Sequence, residues 1–90
     1  ERVENAVARN RLTGVWGVKG NVSDWRFRSD GTFQDESWLT TIKGTYNLLP
    51  GKVIRINSSM GSHTYTYTFK DGRVYLESQD TLDFVLIPKK

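Results

Sequence analysis

One stretch of the sequence brings serine and histidine side chains together, as a nucleophile and its base would require. His63 is the only histidine among the 90 residues, and Ser58, Ser59 and Ser62 lie near it. Nucleophilic catalysis needs a hydroxyl, an imidazole and an orienting carboxylate that converge in space. Neighbouring residues on a strand point to opposite faces, so Ser62 and His63 should not hydrogen-bond to each other. The stretch therefore indicates a loop rich in turn-forming residues, and a hydrolase ranks third among the functions considered.

Carboxylates at Asp24, Asp35 and Glu36 are the candidates for an acid–base pair. General acid–base catalysis requires side chains that reach the same substrate. Asp35 and Glu36 are neighbours and would diverge on a strand, so we expect solvated carboxylates. A single histidine without any cysteine does not supply the usual ligands of a zinc site. The sequence thus predicts no catalytic residue, no metal site and no cofactor.

Aromatic residues make up 12% of the chain and alternate with polar residues. The clearest row is Tyr65, Tyr67 and Phe69 on one face of a strand, with threonines on the other. Such a row either packs in a core or lines a pocket, and we favour core packing. If a pocket exists, its predicted wall is Trp25, Phe27, Tyr46, His63, Tyr65, Tyr67 and Phe69, with His63 near the mouth.

Turn-forming pairs recur about every ten residues, or twice that, which is typical of antiparallel strands joined by short hairpins. They are Gly20-Asn21, Asp30-Gly31, Pro50-Gly51, Met60-Gly61, Asp71-Gly72 and Gln79-Asp80. A weaker turn near Thr40 to Lys43 gives eight strands, and the alternative is one long, bent strand. Alternation with one apolar side predicts a sheet that is packed on one face. We therefore predict an all-β fold, a small up-and-down antiparallel β-barrel of about eight short strands, closed so that it has no free edges.

Residues 1–11 form a separate N-terminal lead in this prediction, and residues 12–90 form the barrel domain. Val3, Ala6 and Val7 have the spacing of one helical face, so the lead is a short helix or an extended segment. Two helical turns are marginal alone, so the lead should dock on the barrel or on a partner. Because the chain begins at Glu1 without Met, we expect an excised domain or a processed product.

The position of Trp38 is ambiguous. Strict alternation from Phe33 places Leu39 inside the barrel and Trp38 outside it. Either a bulge within residues 35–37 shifts the register, or Trp38 lies exposed at a rim.

Composition narrows the classes of partner. The net charge is +3, from 13 basic and 10 acidic residues that are interspersed along the chain. A nucleic-acid-binding protein usually has a concentrated basic face, so we expect no nucleic acid. No apolar run approaches the roughly 20 residues of a membrane helix, so no transmembrane segment is predicted in this chain. Nine large rings compete for a small interior, which favours a filled barrel over a hollow one.

An ordered series of short motifs resembles the small bacterial lipocalin-like domains of the calycin type. The series is LTGVW (12–16), WRFRSDGTF (25–33), KGTY (43–46) and YTYTFKDGRVYL (65–76). Gly14 and Trp16 resemble the Gly-x-Trp signature of that family. The resemblance implies an up-and-down barrel with Trp16 near its closed end, beneath a late basic residue that only Lys89 or Lys90 could supply. It also slightly favours an extracytoplasmic or cell-envelope location.

The chain departs from full lipocalins, which are longer and carry a C-terminal helix, so the fold transfers better than the ligand-carrying role. We therefore expect a non-catalytic accessory or protein-interaction module of a larger bacterial protein or assembly. Its partners would be another protein or the domains of its parent protein. The alternative is a carrier that binds a small hydrophobic ligand inside the barrel.

Overall fold

The computed structural model describes residues 2–20, 22–78 and 82–89, and these form one helix followed by eight strands. In chain order they are α1 (Arg2–Leu12), β1 (Gly14–Val18), β2 (Asp24–Phe27), β3 (Thr32–Glu36), β4 (Thr41–Leu49), β5 (Val53–Ser58), β6 (Gly61–Lys70), β7 (Arg73–Glu77) and β8 (Phe84–Pro88). Each strand pairs antiparallel with the next, and β8 pairs with β1. The predicted eight-stranded up-and-down barrel is confirmed.

Alternating side chains on each strand build the core, as the pattern predicts. On β6, Tyr65 and Tyr67 are buried while Thr64, Thr66 and Thr68 are exposed. The buried core comprises Ala8, Leu12, Trp16, Val18, Trp25, Phe27, Phe33, Tyr46, Leu48, Ile54, Ile56, Tyr65, Tyr67, Val74, Leu76 and Leu86. The interior is therefore apolar and the outer wall is polar, which is the arrangement of a sheet that is wet on one face.

Short turns join the strands where the sequence predicts them. Asp71 and Gly72 both have positive φ, 54° and 74°, which is the conformation that a two-residue hairpin turn matched to strand twist requires. Turns also occur at residues 30–31, 50–52 and 59–60. Asn21 and the pair Gln79-Asp80 lie outside the described residues.

The turn between β3 and β4 lies at residues 37–40, so the prediction of a turn at Thr40 to Lys43 is wrong. The Ser37 hydroxyl accepts hydrogen bonds from the amides of Leu39 and Thr40 at 3.3 and 3.2 Å and so closes the turn early. Trp38 and Leu39 are 79% and 73% exposed. The inward position predicted for Leu39 is therefore wrong, and Trp38 lies at the rim without a bulge, because the β3–β4 register is continuous.

Helix α1 docks on the barrel. It buries Ala8 and Leu12, and the Asn5 side-chain amide donates a 3.3 Å hydrogen bond to the carbonyl of Leu48 on β4. The helix ends at Leu12, one residue beyond the predicted boundary, so Leu12 belongs to the helix and not to the first strand. The Trp16 indole donates a 2.7 Å hydrogen bond to the Leu12 carbonyl, which ties the helix end to β1.

The basic residue that the resemblance placed over Trp16 is engaged elsewhere. Lys89 forms an ion pair of 3.1 Å with Asp24, and its side chain passes over Gly17. Lys90 lies outside the described residues. The polar atom of Trp16 is instead satisfied by the last residue of α1.

Candidate functional site

The two ends of the barrel differ because α1 covers only one of them. In an up-and-down barrel, successive loops alternate between the ends. The loops after β2, β4 and β6 lie at the end that α1 covers, which we call the closed end. The loops after β1, β3, β5 and β7 lie at the opposite end, the open end.

A half-enclosed cavity of about 270 Å³ lies at the open end. It is lined by Trp25, Phe33, Asp35, Ile42, Ile56, Ser58, Met60, His63, Tyr65 and Phe84. We call this cavity the cup. An apolar cavity of about 150 Å³ holds one benzene molecule, so the cup has room for a ring or a large aliphatic side chain.

Ring contacts form the walls and the floor of the cup. The ring of Trp25 lies 5.1 Å from that of Phe84 and 5.4 Å from that of Phe33, centroid to centroid. Below them, Phe27 contacts Phe33 at 5.2 Å and Tyr46 at 5.1 Å. These distances are those of favourable edge-on and tilted ring pairs, so the walls are held in place.

The prediction of a filled interior holds for the middle of the barrel and fails at the open end. In the middle, the ring of Phe27 contacts the rings of both Phe33 and Tyr46. At the open end, the cup wall includes the smaller side chains of Asp35, Ser58 and His63, and these leave space that the neighbouring rings do not fill.

The structure brings together three of the seven residues predicted to line a pocket. Trp25, His63 and Tyr65 line the cup. Phe27 and Tyr46 lie in the packed middle. The remaining two, Tyr67 and Phe69, border a separate slot of about 160 Å³ beneath α1 at the closed end. The predicted set therefore divides between the two ends, because β6 is long enough to cross the whole barrel.

Asp35 is a carboxylate in the wall of the cup, so the expectation that it is solvated is wrong for this residue. It lies directly opposite Trp25 in the β2–β3 pair and is half-buried. Burial raises the pKa of Asp35 above the ordinary 3.8, and hydrogen bonds from the side chains of Trp25 and Ser23 lower it in part. Among the described residues, no Lys or Arg forms an ion pair with Asp35.

Three residues of catalytic type share the cup, but the described hydrogen bonds do not link them. Asp35 bonds to Trp25 and Ser23, and the Ser58 hydroxyl accepts a 3.1 Å bond from the Met60 amide. No hydrogen bond among the described residues joins His63 to either Ser58 or Asp35. The arrangement can hold a ligand by its apolar walls and by one carboxylate.

Each of the four open-end loops carries at least one large apolar side chain that is exposed. These are Val22 after β1, Trp38 and Leu39 after β3, Met60 after β5, and Leu82 before β8, and we call them the rim. Each is between 70% and 79% exposed. Elsewhere in the described part of the chain, Val7 on α1 is the one large apolar side chain that is exposed.

Charge is distributed unevenly between the two ends. The open-end loops and adjoining strand ends carry the acidic Asp24, Asp35, Glu36, Glu77 and Asp83 and the basic Lys19, Arg26, Lys43 and Lys89, the last of which reaches Asp24. The closed end carries the basic Arg9, Arg11, Arg28, Lys52, Lys70 and Arg73 and the acidic Asp30 and Asp71. The cup therefore lies at the end where charges of both signs are mixed, and the described closed end is the more basic of the two.

The described residues contain neither a metal-binding cluster nor a membrane-spanning helix. No group of three or more His, Cys, Asp or Glu side chains is placed to hold a metal ion there. In the same part of the chain, no helix has the length and apolar character needed to cross a membrane.

Comparison of the sequence with protein-family models gives no match, and comparison with curated proteins gives none either. The closed eight-stranded antiparallel barrel is compatible with a lipocalin-like fold.

Proposed function

We propose that this domain is a non-catalytic binding module and that the cup with its rim is the binding site. The observation that carries the proposal is the rim itself: all four open-end loops expose large apolar side chains around an apolar cup. Grouped apolar side chains that face water mark interaction sites, because burying them on binding is favourable.

A protein partner accounts for more of this surface than a small ligand does. Of the rim residues, only Met60 also lines the cup. A small ligand that filled the cup would leave Val22, Trp38, Leu39 and Leu82 in water. A protein segment could insert one side chain into the cup and cover the rim around it, as in interfaces with a central anchor pocket. The module would thus serve a larger protein or assembly.

A carrier of a small hydrophobic ligand is the second candidate. The volume of about 270 Å³ and the four rings in the wall favour it. Pockets of this kind are lined mainly by apolar and aromatic side chains with a few polar groups that orient the ligand. Asp35 and His63 would be those polar groups.

The three tryptophans distinguish the two candidates in one experiment. Trp25 lies in the cup and Trp38 on the rim, whereas Trp16, which pairs with Trp25 across β1 and β2, directs its indole N–H to the Leu12 carbonyl at the end of α1. Peptides selected from a phage-displayed random library on the full chain would be titrated while the three indole N–H signals are followed by NMR. A bound protein segment should shift the signals of Trp25 and Trp38 and leave that of Trp16 unchanged.

The small-ligand arm uses the neutral fluorescent probe N-phenyl-1-naphthylamine. If the probe shifts the indole signal of Trp25 alone and no peptide can be selected, the proposed interaction module is contradicted. The carrier of a small ligand would then be the better-supported function.

Leu39→Ala and Val7→Ala form a matched pair for the rim. Each removes aliphatic surface from an exposed side chain, one on the rim and one on α1. Leu39→Ala should weaken the selected peptides about tenfold, since burying a Leu side chain contributes roughly 1.5–3 kcal/mol. Val7→Ala should not change the affinity, and equal effects of the two variants would contradict the assignment of the site.

A further inference from the structure

We infer that the partner segment places a lysine or arginine directly beside the apolar side chain that fills the cup, with the cation against Asp35. The inference rests on the proposed function, because it specifies the chemistry of the segment that the cup and the rim bind. It follows from the partners of the open-end carboxylates, from the rings around Asp35 and from the charge of the open end.

Among the described residues, Asp35 differs from two neighbouring carboxylates in forming no ion pair. Asp24 pairs with Lys89 at 3.1 Å, and Glu36 lies 3.9 Å from Arg26. Asp35 is half-buried in the cup wall, directly opposite Trp25. Removing a carboxylate from water is costly, and hydrogen bonds from the neutral side chains of Trp25 and Ser23 offset that cost only in part, because burial is the larger influence on the pKa of Asp35. A cation supplied by the ligand would offset the remaining cost.

The rings beside Asp35 favour a cation as well. Trp25 lies directly opposite Asp35, and the rings of Phe33 and Phe84 contact Trp25. Ring faces attract ammonium and guanidinium groups electrostatically. A cation beside Asp35 would therefore interact with both a carboxylate and aromatic faces.

The level of Asp35 in the wall fixes the order of the two groups. Phe33 and Ile56 lie one inward-facing position further from the open end than Asp35 and Ser58. The deeper part of the cup is thus apolar, and the carboxylate lies nearer the mouth. An apolar side chain would occupy the depth of the cup, and the cation would lie beside it at the level of Asp35.

The charge of the open end is consistent with this assignment. Asp24 and Glu36 lie beside Lys89 and Arg26, whereas Asp35 forms no ion pair within the described residues, so a basic group on the partner would meet its complement at Asp35. His63 and Tyr65, the other ionisable side chains of the cup wall, offer no carboxylate to compete for the cation.

The experiment measures the affinities of the selected peptides by calorimetry at low salt. Each peptide is compared with a form in which its lysine or arginine is replaced by glutamine. Both forms are titrated into three proteins: the wild type, Asp35→Asn and Asp24→Asn. Both variants remove one negative charge, from the cup and from the outer face respectively, so Asp24→Asn controls for long-range charge. Neutralising the peptide should cost about tenfold on the wild type and on Asp24→Asn, because a charge-assisted hydrogen bond contributes about that factor. On Asp35→Asn it should cost clearly less, because only the ring faces then attract the cation.

A second arm tests the cup with phenethylamine and phenethyl alcohol, which differ mainly in charge. The amine should shift the Trp25 signal at about tenfold lower concentration than the alcohol does, and Asp35→Asn should reduce this difference to the part that the ring faces contribute. Amine binding without any selected peptide would assign the cup to a free amine and overturn the protein source.

The remaining outcomes separate the inference from the proposed function. Peptides that bind equally well without their basic residue would overturn the inference and leave the proposed function standing. If neither peptides nor small probes bind, both are overturned. Self-association of the full chain that Asp35→Asn abolishes would assign the cup to a second copy and contradict a separate partner.

Discussion

The indole nitrogen of Trp16 lies 2.7 Å from the carbonyl oxygen of Leu12, the last residue of α1. A helix leaves its last carbonyls without intrahelical donors, and this bond satisfies one of them from the barrel wall. Arg9 and Arg11 of the same helix lie over the rings of Tyr46 and Phe69, at 5.2 and 4.2 Å from the ring centres. Together these contacts hold α1 across the closed end of the barrel.

Trp16→Phe should lower the free energy of unfolding by about 1–3 kcal/mol, because it leaves a buried carbonyl without its donor. Urea unfolding followed by circular dichroism measures the change. Trp38→Phe is the matched control: Trp38 is exposed, so the same substitution there should change stability by less than about 0.5 kcal/mol. Equal stability of the two variants would mean that the bond to Leu12 does not anchor the helix.

Gly44→Ala should destabilise the barrel, whereas Gly17→Ala should not. A Cβ at Gly44 would overlap the backbone carbonyl of Asn57 on β5, and backbone cannot move aside as a side chain can. At Gly17 a Cβ would meet only ordinary contacts of 3.8–4.0 Å. We expect a loss of roughly 1–3 kcal/mol for Gly44→Ala, in line with overpacked sites. Thermal unfolding of the pair is the measurement, and comparable melting temperatures would refute the close approach of β4 and β5.

Tyr46→Phe should cost about 1 kcal/mol. The Tyr46 hydroxyl donates a 2.7 Å hydrogen bond to the carbonyl of Arg28, and the ring is buried. Tyr75, whose neighbours in register are Thr68 and Val85, is only partly buried. Tyr75→Phe should therefore be nearly neutral. Chemical denaturation should give clearly different midpoints, and a Tyr46→Phe midpoint equal to that of Tyr75→Phe would count against this bond.

The barrel could be predicted from the sequence because a period of two and regular turn pairs are local signals. The errors arose where the signal was weak. The Ser37 turn contains no Gly or Pro, so nothing in the sequence marked it against the continuing alternation. Leu12 satisfies the pattern of the helix and that of the first strand equally well, and only its contacts assign it to α1.

The binding site was predictable only in part. Alternation from Phe33 points Asp35 inward, so its presence inside the barrel could be deduced. The sequence does not show that Trp25 lies opposite Asp35, because this depends on strand register. It also does not show that no described Lys or Arg pairs with Asp35, because this depends on neighbours in three dimensions. The rim likewise depends on topology, because its members come from four loops that only the closed meander brings to one end.

The stability of Asp35→Asn, measured as its free energy of unfolding, should increase relative to that of the wild type as pH rises. Burial raises the pKa of Asp35 above 3.8, so the folded state holds the proton more tightly than the unfolded state. Below about pH 3.8 the wild type keeps the full contribution of this group, and the contribution is lost as pH rises through the folded-state pKa. The amide has no such titration. Urea unfolding of both proteins between about pH 3 and pH 7 should show the difference growing in favour of the variant.

The outer-face variant Asp24→Asn removes the same charge, together with the ion pair to Lys89, and controls for the change in net charge. A constant difference between Asp35→Asn and the wild type at every pH would show that ionised Asp35 carries no burial penalty. If the difference grows, the cup contains a carboxylate that weakens the folded state in the absence of a ligand. A cation bound beside Asp35 would offset that penalty, so adding a binding peptide should reduce the stability difference between Asp35→Asn and the wild type.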